Sequence, residues 1–242
     1  GDPLCGVFVK TPDVQIVEVL AATGLDFLCF DAEHSPFDRG RLDACLAVAR
    51  ALGLSSLVRV PVGSPAEILK ALDAGALGVV VPHCMDAATA EAIARAAHFG
   101  HGGRGYAGST RWAGFGAHSM ADVLAADEET IVIPQIEEPE GVAAAAEITA
   151  VDGVDGLFVG PADLAVCYGS SDPAGPEVRA GIKTVSDAAK ANGKSSVTFA
   201  PSNAWTADLT ALGVNMFFFA SDHTFIAQGA KATAEAFRDA TG

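Results

Sequence analysis

Short apolar runs alternate with longer amphipathic stretches along the chain. Eight of these runs are rich in β-branched and aromatic residues, and most are apolar throughout instead of alternating with polar residues. Such runs are typical of parallel strands that are covered on both faces. The predicted strands are residues 5–9, 26–30, 56–60, 77–81, 131–136, 156–159, 195–199 and 215–219.

The stretches between these runs predict helices. Prolines such as Pro65 stand near their starts, and glycines such as Gly75 follow their ends. The predicted helices are residues 13–22, 41–52, 65–74, 87–97, 139–150, 176–192, 203–212 and 225–240. Eight strands that alternate with helices predict a single (β/α)8 TIM barrel domain over residues 1–242, with an open doubly wound sheet as the alternative. The one long irregular stretch, 99–119, is expected to be functional or mobile.

Composition and charge narrow the class of protein. The chain has 15 Lys and Arg against 30 Asp and Glu, a net charge of −15. This balance argues against a nucleic-acid or anionic-membrane partner, because phosphate groups attract the opposite charge. The five cysteines contain no C-x-x-C pair, and no apolar run approaches the length of a membrane span. We therefore expect a cytoplasmic protein with reduced thiols and no export signal.

Polar side chains cluster where the predicted strands end. In barrel enzymes the catalytic groups lie at the carboxyl ends of the strands. The residues at or just after these ends are Asp31, Glu33, His34, Arg59, His83, Gln135, Glu137, Glu138, Gly160, Pro161, Ala162, Asp163, Thr198, Phe199, Ser221, Asp222 and His223. They predict one rim that carries carboxylates, histidines and an arginine.

Glu137 and Asp163 follow neighbouring predicted strands and are the candidate metal ligands. Two carboxylates with room for water are the ligands that Mg²⁺ or Mn²⁺ prefers. The alternative for Asp163 is helix capping, because it follows a Gly-Pro turn and acids are common in the first turn of a helix.

His34 and Arg59 are candidates for acid–base chemistry and charge stabilisation. Imidazole titrates near neutral pH, so His34 is a candidate general base; the alternative is a loop histidine bonded to a nearby carboxylate. Arg59 lies in an apolar run, where it would stabilise a carboxylate or a developing oxyanion, or form a structural ion pair. No predicted strand contains a lysine, which argues against a Schiff-base aldolase.

Several ordered motifs extend almost from end to end of the chain. They are Gly-Leu-Asp-Phe-Leu-Cys-Phe-Asp-Ala-Glu-His at 24–34, Val-Arg-Val-Pro at 58–61, Leu-Asp-Ala-Gly-Ala at 72–76, Val-Val-Val-Pro at 79–82, Gln-Ile-Glu at 135–137 and Val-Asp-Gly-Val-Asp-Gly-Leu-Phe-Val-Gly-Pro-Ala-Asp-Leu at 151–164. Together they resemble the motifs of the metal-dependent class II pyruvate aldolases of the HpcH/HpaI family, and the last two form the signature that is most specific to that family.

The resemblance implies a barrel of the phosphoenolpyruvate/pyruvate-binding type. Its last helix would be exchanged between subunits of a homo-oligomer, a hexamer or a trimer. Glu137 and Asp163 would hold a divalent metal, Mg²⁺ or Mn²⁺ or another ion such as Co²⁺. Gln135 and the backbone at Ala162 and Asp163 would contact the substrate, together with Gly160 and its neighbours.

The resemblance also implies roles for three further residues. His34 would be the base, Asp73 of a neighbouring subunit would raise its basicity, and Arg59 would stabilise the enolate oxygen. Two departures from the family stand out. The stretch 98–105 lacks the family's two prolines, and Phe8 replaces the tryptophan of some relatives.

The implied reaction is the reversible cleavage of 4-hydroxy-2-oxo acids, such as 4-hydroxy-2-oxoheptanedioate or 2-dehydro-3-deoxyglucarate. The products would be an aldehyde and pyruvate, or a related 2-ketoacid such as hydroxypyruvate, formed through a metal-stabilised enolate. Two alternatives stay open: a CoA-thioester lyase of the citrate-lyase-β type, and a non-catalytic barrel that binds a ketoacid or a metal.

Overall fold

Eight parallel strands close into a barrel in the computed structural model of the chain, which describes residues 2–241. The strands pair in sequence order, and the first pairs with the last. They are β1 (Leu4–Val9), β2 (Phe27–Asp31), β3 (Ser55–Arg59), β4 (Gly78–Val81), β5 (Ile131–Ile136), β6 (Gly156–Val159), β7 (Ser195–Ala200) and β8 (Met216–Ser221). The predicted (β/α)8 barrel is confirmed, and the open-sheet alternative is wrong.

Helices surround the barrel. They are α1 (Val14–Ala21), α2 (Arg39–Ala51), α3 (Pro65–Asp73), α4 (Ala87–Ala97), α5 (Met120–Ala125), α6 (Pro139–Ala143), α7 (Ala145–Thr149), α8 (Pro161–Cys167), α9 (Pro176–Ala191), α10 (Thr206–Ala211) and α11 (Asp222–Thr241). Gly75 has the left-handed φ of 100° that the end of α3 requires.

The structure differs from the predicted helices in three places. The single helix predicted over 139–150 is interrupted at Ala144, where ψ is 3°. The surrounding alanines are all good helix formers, so propensity gives no sign of this break. The short helices α5 and α8 were not predicted, because each is shorter than the two or three turns that make a helical period visible.

Two layers of buried apolar side chains stabilise the barrel. Side chains from alternate positions of all eight strands fill its interior, where the Phe8 and Phe218 rings stack with centroids 4.6 Å apart. The opposite faces of the strands pack against the helices in a larger second layer. The interior is therefore solid below its upper rim, and polar side chains can gather only at the strand ends.

The last helix, α11, is attached to the barrel at its first residue. Asp222 is buried, and its carboxylate accepts hydrogen bonds from the backbone N–H of Lys10 at 2.8 Å and of Thr11 at 2.9 Å. Asp222 is the only buried residue of α11, and Ile226 and Phe237 are largely exposed. The exchange of this helix between subunits stays a prediction.

Two features bear on the redox state of the chain and on its insertion into a membrane. All five cysteines are free thiols, and burial raises the pKa of Cys84 to about 12. Between residues 2 and 241, none of the helices combines the length and apolar character needed to cross a membrane.

Candidate active site

Asp31 and Arg59 form a buried ion pair at the carboxyl ends of β2 and β3. The guanidinium donates from Nε to Asp31 Oδ1 at 3.0 Å and from Nη2 to Asp31 Oδ2 at 2.8 Å. Burial disfavours the charged carboxylate, but the hydrogen bonds and charge of Arg59 outweigh it and hold the pKa of Asp31 at about 2. The pair is therefore charged at neutral pH, and the plane of the guanidinium is fixed.

Three further side chains surround this pair. Lys10 Nζ lies 2.7 Å from Asp31 Oδ2, and Glu33 Oε2 lies 3.3 Å from Arg59 Nε. The Phe8 ring lies against the guanidinium, with its centroid 4.5 Å from Cζ. The structural ion pair that was the alternative for Arg59 is therefore present, and it lies at the rim of the barrel.

Glu137, just after β5, is held by polar groups on both of its oxygens. Gln135 Nε2 donates to Glu137 Oε2, and the backbone N–H of His83 donates to Glu137 Oε1 at 2.8 Å. Burial raises the pKa of Glu137, while His83 and Gln135 oppose that rise. Because Glu137 is almost fully buried and still carries a carboxylate, it is the best-positioned candidate metal ligand at the rim.

His83 follows β4 and contacts two carboxylates. Its Nδ1 lies 2.9 Å from Glu137 Oε1 and 2.7 Å from Glu138 Oε1. The hydrogen bond to Glu138 raises the pKa of His83, and burial opposes this only in part.

Asp163 stands in the first turn of α8 and approaches Glu137 across Gly160. A Cβ added to Gly160 would lie 3.3 Å from Asp163 Oδ2, 3.3 Å from Gln135 Nε2 and 3.5 Å from Glu137 Cβ. Three side chains therefore surround a small space that only a glycine leaves open. The N-cap of α8 is Gly160, but Asp163 does lie in the first turn of the helix, where a carboxylate interacts favourably with the helix dipole, so this alternative for Asp163 stays open.

The donor set fits a divalent metal ion. Carboxylates are the ligands that hard cations take, and the exposed carboxylate of Asp163 is accessible to solvent. Gln135 Oε1 and Glu138 Oε2 are buried oxygens without a hydrogen-bond partner. One ligand atom each of His83, Glu137 and Glu138 lies within 4.8 Å of the other two.

His34 lies on the loop after β2 with a largely exposed imidazole. Its backbone N–H donates to Asp31 Oδ1 at 3.1 Å, which ties the loop to the buried ion pair. Its Nε2 is 3.7 Å from Glu33 Oε2, too far for a hydrogen bond. The alternative of a loop histidine bonded to a nearby carboxylate therefore stays open, since the backbone N–H is bonded to Asp31 and the ring lies near Glu33. The exposed ring is accessible to a substrate.

Asp73 ends α3 and pairs with Arg104, not with His34, inside one chain. Arg104 Nη2 donates to Asp73 Oδ1 at 2.7 Å from a fully buried side chain. The guanidinium lies 4.7 Å from the ring centroid of Phe99 and 5.0 Å from that of Trp112. These contacts fix the irregular stretch 99–119 against α3. The action of Asp73 on His34 of a neighbouring subunit stays a prediction.

The remaining candidates lie around the same rim. Phe199 is the last residue but one of β7, and its ring centroid lies 6.4 Å from that of Phe8. Pro161 is buried as the first residue of α8, and Ala162 follows it. The backbone N–H groups of this first turn have no partner inside the helix and are available to a bound anion.

A sizeable cavity lies away from this rim. It has a volume of about 910 Å³ and is lined by residues that include Glu91, His98, Thr130 and Asp155. Thr130 and Asp155 directly precede β5 and β6, so the cavity opens at the amino ends of these strands. Chemistry in such barrels takes place at the carboxyl ends, and we place the site there.

Two residues of the site had no predicted role. Asp31 and His83 were recognised only as polar residues after strands, whereas the structure makes Asp31 the anchor of Arg59 and His83 a neighbour of Glu137. The signal for Asp31 was available, because a buried arginine on the next strand requires an acidic partner.

Known proteins resemble the chain over most of its length. Residues 4–224 match the profile of the family described as HpcH/HpaI aldolase/citrate lyase. A hydroxypyruvate/pyruvate aldolase from Roseovarius nubinhibens is 33% identical over 91% of this chain and 89% of its own. A 5-keto-4-deoxy-D-glucarate aldolase from Klebsiella pneumoniae is 36% identical over 84% of this chain and 83% of its own. The crystal structure of an HpcH/HpaI aldolase/citrate lyase family protein from Burkholderia cenocepacia superposes with a TM-score of 0.92 at 32% identity, covering 98% of this chain and 95% of the other.

Proposed function

This chain belongs to the HpcH/HpaI aldolase/citrate lyase family, and we propose that it cleaves 4-hydroxy-2-oxo acids reversibly to an aldehyde and pyruvate or hydroxypyruvate. The chain is a class II aldolase, a carbon–carbon lyase. The relatives act on 2-ketoacids by their names, and we extend that substrate class to this chain.

One observation carries the assignment of the site. Glu137, Asp163 and Gln135 surround the space above Gly160 at the carboxyl ends of β5 and β6. A ketoacid has a carboxylate next to a keto group, so it presents two oxygens to such a polar space. The amide of Gln135 and the free N–H groups at the start of α8 are suited to hold the substrate carboxylate.

The metal is the one cofactor of the proposal. Glu137 and Asp163 would hold Mg²⁺, Mn²⁺ or Co²⁺, which when bound acts as a Lewis acid toward the keto oxygen.

Arg59 is placed to stabilise charge. When the bond between C3 and C4 of the substrate breaks, negative charge develops on the keto oxygen. The guanidinium is fixed by Asp31 before the reaction, so it need not reorient when this charge appears. Because Asp31 has a pKa of about 2, the carboxylate stays ionised and keeps Arg59 in place across the working pH range.

His34 is the proposed base. Cleavage requires a proton to leave the 4-hydroxyl oxygen, and condensation returns it. The exposed imidazole can accept that proton directly or through a water, because no side chain of the described residues hydrogen-bonds the ring. Its loop is attached to Asp31, so the base and Arg59 are positioned by the same carboxylate.

Proton exchange tests the function without knowledge of the aldehyde. An aldolase of this class should exchange the methyl protons of pyruvate in D₂O when Mg²⁺ or Mn²⁺ is present and should stop when a chelator is added. A non-catalytic binding barrel would give no exchange. A panel of aldehydes with pyruvate and with hydroxypyruvate, each with and without chelator, then identifies the physiological pair.

The CoA-thioester lyase alternative is less favoured. The relatives at 33% and 36% identity are named aldolases. We propose further that the chain works as a homo-oligomer, because apolar residues of α11 stay exposed on a single chain. The proposed assembly is a hexamer or a trimer, and the proposed location is the cytoplasm.

A further inference from the structure

His83, Glu137 and Glu138 bring three ligand atoms together, and His83 supplies the nitrogen among them. Its Nδ1 lies 2.9 Å from Glu137 Oε1 and 2.7 Å from Glu138 Oε1. Two ligand atoms that each lie about 2.1 Å from one metal ion at a right angle are about 3 Å apart. The separation of His83 Nδ1 and Glu137 Oε1 therefore equals that of adjacent ligands on one ion.

The backbone at His83 holds the ring in this place. His83 has a left-handed φ of 59°, which is uncommon for residues other than glycine. In this conformation its N–H donates to Glu137 Oε1 at 2.8 Å, so backbone and ring meet the same oxygen. Strained residues of this kind cluster at functional sites.

The two carboxylate oxygens of Glu138 differ in their contacts. Glu138 Oε1 contacts His83 Nδ1, but Glu138 Oε2 is buried without a hydrogen-bond partner. The His83 side chain is 65% exposed, so an ion can reach the cluster from solvent. A buried carboxylate oxygen of this kind lacks the partner that its desolvation requires, and a cation supplies one.

We propose that His83 is a nitrogen ligand of the divalent metal held at Glu137. The proposal rests on the metal dependence proposed above, and it adds an imidazole to the oxygen ligands of Glu137 and Glu138, whose ligand atoms lie together with that of His83. Imidazole favours Co²⁺, Ni²⁺ and Zn²⁺, whereas Mg²⁺ prefers oxygen. His83 therefore shifts the selectivity of the site toward the transition metals.

Pulsed electron paramagnetic resonance of bound Mn²⁺ tests this ligand directly, because a coordinated imidazole couples its ¹⁴N nuclei to the metal. The full chain, stripped of metal and loaded with one equivalent of Mn²⁺, should show this coupling. His83→Asn should abolish it, and Asn tolerates the left-handed φ at this position, so the loop keeps its shape. His101→Gln is the matched control. His101 is an exposed residue of the stretch 98–105, and this variant should retain the coupling.

Calorimetric titration gives a second readout. His83→Asn should weaken Co²⁺ binding by at least about tenfold, the smallest effect expected even for a residue that only supports a ligand. Its Mg²⁺ affinity should change much less.

The outcomes separate the two proposals. If wild type binds Mn²⁺ without nitrogen coupling, or if the coupling persists in His83→Asn, the inference about His83 is wrong and His83 is only a hydrogen-bond donor to the two glutamates. If wild type binds no divalent metal at all, the metal dependence of the proposed function fails as well.

Discussion

Asp31 and Arg59 are register partners on β2 and β3, and they join these strands at the rim through two side-chain hydrogen bonds. The backbone register sets the height of both residues, and the side-chain pair sets the plane of the guanidinium. Lys10, the residue directly after β1, contacts the same carboxylate, so the ends of three consecutive strands are connected at the point where the substrate is proposed to bind.

Replacement of Arg59 should lower activity as well as stability, because it also leaves the buried Asp31 without its partner. We expect Arg59→Lys and Arg59→Ala to lower kcat by about 10²-fold or more, as loss of an oxyanion donor does. Lysine should rescue poorly, because it lacks the planar fork that Asp31 binds at two points. Steady-state kinetics measures the effect.

The control for Arg59 is Arg111→Lys. Arg111 also pairs with an aspartate, Asp43, at 2.8 Å, but on the outside of the barrel. The Arg111→Lys variant should have a slightly lower thermal midpoint and an unchanged kcat. If Arg59→Lys behaves in the same way, Arg59 has only a structural role.

Asp31→Asn should destabilise the fold in a pH-dependent manner. At pH 7 the free energy of unfolding should fall by about 3 kcal/mol, because Arg59 loses the charge of its buried partner. The native pKa of Asp31, about 2, lies below the ordinary value of 3.8. Its stabilising contribution is therefore complete above pH 4 and is lost as the pH falls from about 4 toward about 2.

Urea unfolding between pH 7 and pH 3 measures this difference. The gap between wild type and Asp31→Asn should be constant near neutrality and should narrow at the acid end. Asp43→Asn is the matched control, since Asp43 is about half exposed at 49% and its pair with Arg111 should contribute less than about 1 kcal/mol. A difference that does not change with pH would mean that Arg59 does not lower the pKa of Asp31 in the folded protein.

Chelation should abolish turnover, and borohydride should not trap the ketoacid. None of the eight strands of the described chain contains a lysine. Lys10 lies just after β1, and its Nζ is engaged by Asp31 Oδ2 at 2.7 Å, whereas a Schiff base requires a free, desolvated amine. Activity with EDTA and the mass of the protein after borohydride and pyruvate are the measurements. Chelator-resistant turnover together with a pyruvate adduct would reverse the assignment to class II.

His34→Ala should cripple cleavage and spare metal binding, because the ring is proposed as a base and not as a ligand. Asp73→Asn should lower activity more modestly. If Asp73 acts on His34 of a neighbouring subunit, mixed oligomers of the two variants should contain some complete sites. Activity after mixing, above the sum of the parents, is the measurement.

That mixing experiment needs two checks. Subunit exchange must first be shown by pull-down of differently tagged chains. Asp73 also pairs with Arg104 inside its own chain, so the thermal midpoint of Asp73→Asn must show that the variant is folded. With exchange shown and both variants folded, absence of any gain would restrict Asp73 to its own chain.

The barrel was predictable because its strands are short apolar runs with sharp ends. The runs 131–136 and 156–159 match β5 and β6 in both boundaries. Elsewhere the limits moved by a residue or two; the second strand, for example, was predicted to end at Phe30, whereas the polar Asp31 still belongs to the strand ladder. A hydrophobic pattern ends a strand at its last apolar residue, whereas backbone pairing continues.

The candidate site was predictable in its location but not in its contacts. The rule that chemistry follows the strand ends brought Glu137, Asp163 and Arg59 to one rim. The pairing of Arg59 with Asp31 depends on strand register, and the contact of His83 with Glu137 depends on a left-handed backbone. The spacing of residues along the chain predicts neither of these two contacts.

The pairing of β1 with β8 has a consequence for how the chain is made. Leu4 pairs with Met216, so closure joins residues that lie at nearly opposite ends of the chain. At about 5–20 residues per second, synthesis of the intervening chain takes on the order of 10–40 s. During that interval the nascent chain is an open sheet with two unpaired, apolar edges, which are templates for aggregation. Recovery of active protein should therefore depend on translation rate and on chaperones more than the stability of the finished barrel would indicate.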